Sequence, residues 1–259
     1  MPMSPRLLRP IANNLDPDAA VYLNAVAVAD GQQLEPAVRK AINDFVVGLK
    51  ADSIWTPIKA LCLLMGPRTL AGALTPLVGT APTNNGPFVS GDYNRETGLV
   101  GNGSSKYLDS NRANSADPQT NYHLAVLVNT AATGAQFYAG VFSTAGGSSS
   151  LAVSAGNHTV RCRNNGSRAL TGAPTGLLGV SRAASGSYAT ISGGTTGTQT
   201  QSSSTPQADN MLVFANNNDG VAASFTTARI QYYSVGESLD LALLSARLVT
   251  LRDAIAAEI

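Results

Sequence analysis

Hydrolysis of sugars needs two carboxyl groups held a fixed distance apart, one as acid or base and one as nucleophile or water activator. On a strand such a pair shares a face only at i, i+2 or i+4. The glycine-rich part of this chain carries Asp92, Glu96, Asp109, Asp117, Asp209, Asp219 and Glu237, and no candidate strand holds two of them. Glycosidase activity is therefore not expected. His123 opens the apolar run H-L-A-V-L-V and His158 sits in the turn G-N-H-T, with no Cys/His cluster beside either to bind zinc. The serines include no G-x-S-x-G elbow, and two histidines give little material for a triad. The expectation is no catalytic residue, no metal and no cofactor.

What remains is hydrogen-bonding chemistry. Asp92, Asn94, Asp109, Asn216, Asn218 and Asp219 could offer oxygens to calcium or bond the hydroxyls of a sugar, although Asn and Asp also serve as simple turn residues. Tyr93 and Arg95 add a stacking ring and a charged donor. The candidate contact set is thus Asp92, Tyr93, Asn94 and Arg95 with Asn216, Asn218 and Asp219. Arg161, Arg163 and Arg168 form the one local basic group, and the i, i+2 spacing of the first two places both on the solvated face of a strand. Cys62 and Cys162 stand far apart, with neither disulfide nor zinc spacing, and read as small core hydrophobes.

The 17 basic and 16 acidic residues leave a formal net charge of +1, and the arginines are scattered, so duplex nucleic acid is excluded as a partner. Charged residues make up 13% of the chain, about half the usual share. The N-terminus M-P-M-S-P-R-L-L-R-P lacks the apolar core of a secretory signal. The longest greasy stretch, Ile58 to Met65, is too short for membrane insertion.

Helical periodicity fills the first third. Asp16 before Pro17 predicts an N-cap, with the helix ending at Asp30-Gly31. A second helix starts near Glu35-Pro36 and sets Val38, Ile42, Phe45, Val46 and Leu49 on one stripe, which Trp55, Ile58 and Leu61 continue past a break at Thr56-Pro57. From about Gly66 the period switches to two. Strands are expected at 107–110, 123–129, 136–142, 151–155, 159–163, 175–181, 188–192, 196–202, 211–215 and 229–235, a number that implies a sandwich. Gly193-Gly194 and Asn165-Gly166 mark hairpins, 193–205 reads as an exposed edge hairpin, and Asn216 to Gly220 reads as a polar loop. A last helix, N-capped by Ser238, carries the seam Leu241, Leu244, Leu248, Leu251 and Ile255.

The stretch E-T-G-L-V-G-N-G-S-S-K-Y-L-D-S-N (96–111), together with S-G-D-Y-N-R (90–95), Y-Y-S-V-G-E-S-L-D-L (232–241) and 41–60, resembles a family of bacteriophage virion proteins. The resemblance implies helices at the N-terminus followed by a concanavalin A-like (laminin-G-like) jelly-roll β-sandwich, in tail fibres or other displayed parts. Expected regions are 1–78 (helical attachment), 79–237 (sandwich) and 238–259 (C-terminal helix). The function expected from the resemblance is a virion structural protein, assembled in the host cytoplasm, that contacts host glycans without cleaving them. A head-decoration or head-spike protein and a glycan-active hydrolase are the alternatives. Its partners would be other virion proteins and copies of itself, a trimer being favoured. Assembly would use Val38, Ile42, Phe45, Leu49 and Trp55, and the seam Leu244, Leu248, Leu251 and Ile255.

Overall fold

The computed structural model describes residues 15–259; the N-terminal decapeptide considered above lies outside the described residues. In chain order the elements are α1 (Pro17–Asp30), α2 (Pro36–Ala51), β1 (Ile58–Leu63), α3 (Leu70–Ala73), β2 (Pro76–Val78), β3 (Thr83–Asn85), β4 (Tyr93–Asn94) and β5 (Gly98–Val100). Then come β6 (Tyr107–Ala113), β7 (Tyr122–Thr130), β8 (Gln136–Phe142), β9 (Ser148–Ser154), β10 (Asn157–Asn164), β11 (Arg168–Leu170) and β12 (Gly176–Arg182). The chain closes with β13 (Ser187–Ser192), β14 (Thr195–Thr200), β15 (Asn210–Val213), β16 (Asn216–Asn218), β17 (Val221–Ala223), β18 (Arg229–Gly236) and α4 (Leu241–Ala256).

Two sheets face each other. One runs β14-β13-β12-β7-β18-β1-β2, with β5 attached to β18 and β4 to β5; the other runs β11-β10-β9-β8-β15-β6-β3, with β16 beside β8 and β17 beside β16. All pairings are antiparallel except β16 with β8. The mainly β sandwich with N-terminal helices and a C-terminal helix expected from the sequence is the observed fold.

A third layer decides where the chain differs from expectation. The helices cover the outer face of the first sheet, so its central strands are buried on both sides. In β7, Leu124, Val126 and Val128 point into the sandwich core, while Ala125 and Leu127 point into a second core beneath the helices. Strands enclosed on both faces read as continuous apolar runs.

The same enclosure explains β1. The sequence 58–63 continues the helical stripe, yet Cys62 and Leu64 face the sandwich core while Leu61 and Leu63 face the helices. Trp55 was expected on that stripe too; it lies at the margin of the helical core, with the Lys50 ammonium 5.4 Å from its ring centroid. Residues 58–63 are therefore strand, and β1 sits between β18 and β2 inside the first sheet.

The residues expected for assembly lie in the interior of the chain. Val38, Ile42, Phe45 and Leu49 of α2, and Leu244, Leu248, Leu251 and Ile255 of α4, are all buried in the core shared by the helices and the first sheet. The seam thus packs within its own chain. Asp52 at the end of α2 clamps Arg247 of α4 with two bonds of 2.7 and 2.9 Å. Gly48 makes the approach possible, since a Cβ there would lie 2.8 Å from Arg247 Nε. The cap of α4 is Asp240 rather than Ser238; its carboxylate accepts the N–H groups of Ala242 and Leu243. The hydroxyl and N–H of Ser238 are turned instead to the Asn121 side chain.

Candidate functional site

The two loops proposed from sequence for hydroxyl contact are built differently from an open rim. In the first, Asp92 accepts the N–H of Val89 at 2.7 Å and pairs with Lys106 at 2.5 Å. Burial pushes its carboxyl up, but these partners hold it below the usual carboxylate range. The Tyr93 hydroxyl donates to Pro67 O at 2.6 Å, and burial raises its pKa. Arg95 donates to Gly66 O and Pro67 O and grips both oxygens of Glu35 at 3.1 and 2.7 Å. Arg68 holds the same Glu35 at 2.8 Å. This segment ties the start of α2 to the sandwich. Asn94 is exposed, but its carbonyl oxygen accepts from Glu96 and Thr97 within the turn.

In the second loop Asn216 and Asn217 form the parallel strand β16 and are buried, where a polar loop was expected. Asn218 and Asp219 are exposed, with Asp219 at φ 49° and its N–H donating to Phe142 O. The turn therefore sits at the Phe142 end of β8. Asp92, through Lys106 and its neighbour Tyr107, which lies 6.0 Å from the Phe225 ring, belongs to the opposite, Gln136 end, where Phe137 N–H donates to Ser224 O. The two groups do not share one rim.

What the fold does bring together is a polar cleft of about 300 Å³ at the C-terminal end of α4. It is lined by Glu96, Asn129, Thr175, Gln231 and Arg252 over a floor of Val128 and Gly176. Gln231 is buried in β18 and oriented by a 2.7 Å bond from its amide nitrogen to Glu96 O. Arg252 is part-exposed and also bonds Asp253 at 2.7 Å. The walls offer a carboxylate, a guanidinium, two carboxamides and a hydroxyl, a set that can bond a polyhydroxylated or polar ligand. These residues come from five distant segments; the one trace in sequence was a glutamine inside the apolar run Ile230–Tyr233.

The remaining chemistry-bearing groups are structural. His123 is buried with Nδ1 at 2.6 Å from Glu237 O and Nε2 at 2.9 Å from Ser234 Oγ, and burial lowers its pKa to about 4. His158 is buried edge-on to Tyr138, bonded to Ser192 Oγ, and also shifted down by burial. Cys62 and Cys162 are buried free thiols raised to about 12 by burial. No group of three or more His, Cys, Asp or Glu among the described residues could hold a metal.

No protein-family model and no curated protein matches the chain. Among solved structures it is similar to the NanB sialidase of Streptococcus pneumoniae, 14% identical with a TM-score of 0.40, over 54% of this chain and 27% of that one. It is also similar to the Ruminococcus gnavus IT-sialidase CBM40, 15% identical with a TM-score of 0.38, over 53% and 91% of the two chains. A third is the enzymatically active domain of tailspike protein 2 from bacteriophage CBA120, 14% identical with a TM-score of 0.36, over 65% and 29%. The chain thus spans about a quarter of NanB and less than a third of the tailspike domain.

Proposed function

We propose that this chain is a structural protein of a phage virion, a tail-fibre or similar displayed component, held to the particle through its helical layer and contacting host glycans without cleaving them. The observation that carries this reading is the outer face of α1. Between Asp18 and Asp30 the helix has no charged residue, and Val21 and Val28, two turns apart on one face, are 71% and 84% exposed. Only Asn24 and Ala25 are exposed between them, and an uncovered face with so few polar groups marks an interaction surface. The absence of cleavage rests on the sandwich carboxylates, several of which serve the fold: Asp92 with Lys106, Asp117 with Arg112, Glu237 with Lys59. Glycan contact is assigned to the cleft around Gln231, where carboxamides and a guanidinium converge.

Particles assembled with Val21→Asp/Val28→Asp protein test attachment, since both positions are exposed and lie outside the core. Incorporation should fall at least about tenfold; incorporation at the wild-type level refutes the assignment. Host-cell binding by Gln231→Ala and Arg252→Ala proteins tests the cleft, and unchanged binding by both removes it from the reading.

A further inference from the structure

We infer that β14 is a dimerisation edge, at which a second copy of this chain adds its own β14 antiparallel across a two-fold axis. An outer strand leaves a row of main-chain N–H and C=O groups open, and proteins normally blunt such rows with short strands, charges, proline, bulges or a covering element. The other path-end strands here follow that rule. Strands β2, β3 and β11 have three residues each, β2 begins with Pro76, and β11 carries Arg168. Strand β14 has six residues, T-T-G-T-Q-T, with no charge and no proline. Its register on β13 runs without a bulge from Ser187↔Thr200 to Ser192↔Thr195, and all of it except Gln199 is exposed.

The register shows which groups are open. Gly193 and Gly194, both at positive φ, make a two-residue turn whose flanking pair Ser192↔Thr195 is hydrogen-bonded. Alternation then directs the main chain of Thr195, Gly197 and Gln199 toward β13, and that of Thr196, Thr198 and Thr200 outward. The Gln201 N–H, which donates to Gly186 O on the inward side, agrees with this parity.

Two observations point to the same chain as occupant. Across a two-fold axis each residue meets its own equivalent, so any charge near the axis opposes a like charge; from Gly193 to Ala208 there is none. In addition, the two-fold register sets threonine opposite threonine at every outward position, and Thr–Thr pairs are favourable cross-strand neighbours. With Thr198 opposite Thr198 and Thr196 opposite Thr200, about six inter-strand hydrogen bonds close the joint. The surface is separate from α1, so this inference stands independently of the attachment proposed above.

Sedimentation equilibrium of the 259-residue protein over a range of concentrations, with amide exchange read at single residues, tests it. The expected result is a dimer with protected amides at Thr196, Thr198 and Thr200. Thr198→Pro removes an outward donor and leaves the β13 pairing; Thr196→Lys/Thr198→Lys leaves the backbone and opposes like charges. Each should weaken association by about 100-fold or more with an unchanged circular dichroism spectrum. A wild-type protein that stays monomeric at about 100 μM, a dimer that survives both variants, or a dimer whose three amides exchange freely overturns the proposal.

Discussion

The guanidinium of Arg163 lies 4.1 Å from the ring centroid of Tyr122, fully buried, with its two terminal nitrogens donating to the main-chain carbonyls of Asn114, Asp117 and Pro118. Arg163 was expected beside Arg161 on a solvated face. Its φ of 52° and a register shift between Cys162 and Asn164 break the alternation and turn it inward. Its own carbonyl accepts from Ser204, so the segment leaving β14 is pinned at the same point. Arg163→Ala should cost at least about 3 kcal/mol, because several buried carbonyls lose their donors together. Arg163→Lys should not restore stability, since an ammonium reproduces neither the fork nor the stack. Denaturant melts of the two variants check this, and wild-type stability in either contradicts the role.

Acid should destabilise the protein in two windows. The Arg95 bond holds Glu35 below the ordinary carboxylate range, so its contribution is present above about pH 4.5 and fades as pH falls through the lowered folded value. His123 is buried neutral with a folded pKa of about 4; its contribution is complete above about 6.5 and is lost between there and 4, where only the unfolded chain takes up the proton. Stability should therefore decline from about pH 6.5 downward. A His123→Gln variant, compared by thermal melts at pH 7 and 5, should show a smaller difference between the two pH values than wild type.

Leu251 packs on α2 and the first sheet, so Leu251→Ala should cost about 2–5 kcal/mol through the cavity it leaves, and Leu248→Asp more, by burying an unpaired charge. Neither change should alter association as long as the protein remains folded. Light scattering that shows Leu251→Ala converting an oligomer to folded monomers would restore the seam as an intermolecular contact.

Both thiols are buried and raised to about 12, so neither Cys62 nor Cys162 should react with a disulfide reagent at pH 8 in the native protein. Two equivalents should appear on unfolding. Rapid labelling of folded protein would show that the core opens near one of them.

Where local signals suffice, the chain's sequence specified its structure closely. Asp16 and Gly31 bound α1 because a side-chain oxygen and a left-handed residue satisfy the main-chain groups that helix ends leave open. The ten expected strands were found because alternation and turn residues act over a few positions, as in the Gly193-Gly194 hairpin. The double burial of β1, the inward turn of Arg163 and the cleft joining Glu96 to Gln231 and Arg252 were decided only by tertiary structure. Each depends on which face another layer covers, and an apolar run such as Ile58–Met65 has the same local preference beneath a helix, inside a sheet or within a helix. The destination of the α4 seam was open for the same reason: a narrow apolar stripe demands a partner but does not name one, and the sheet and α2 supplied it from residues far away in the chain.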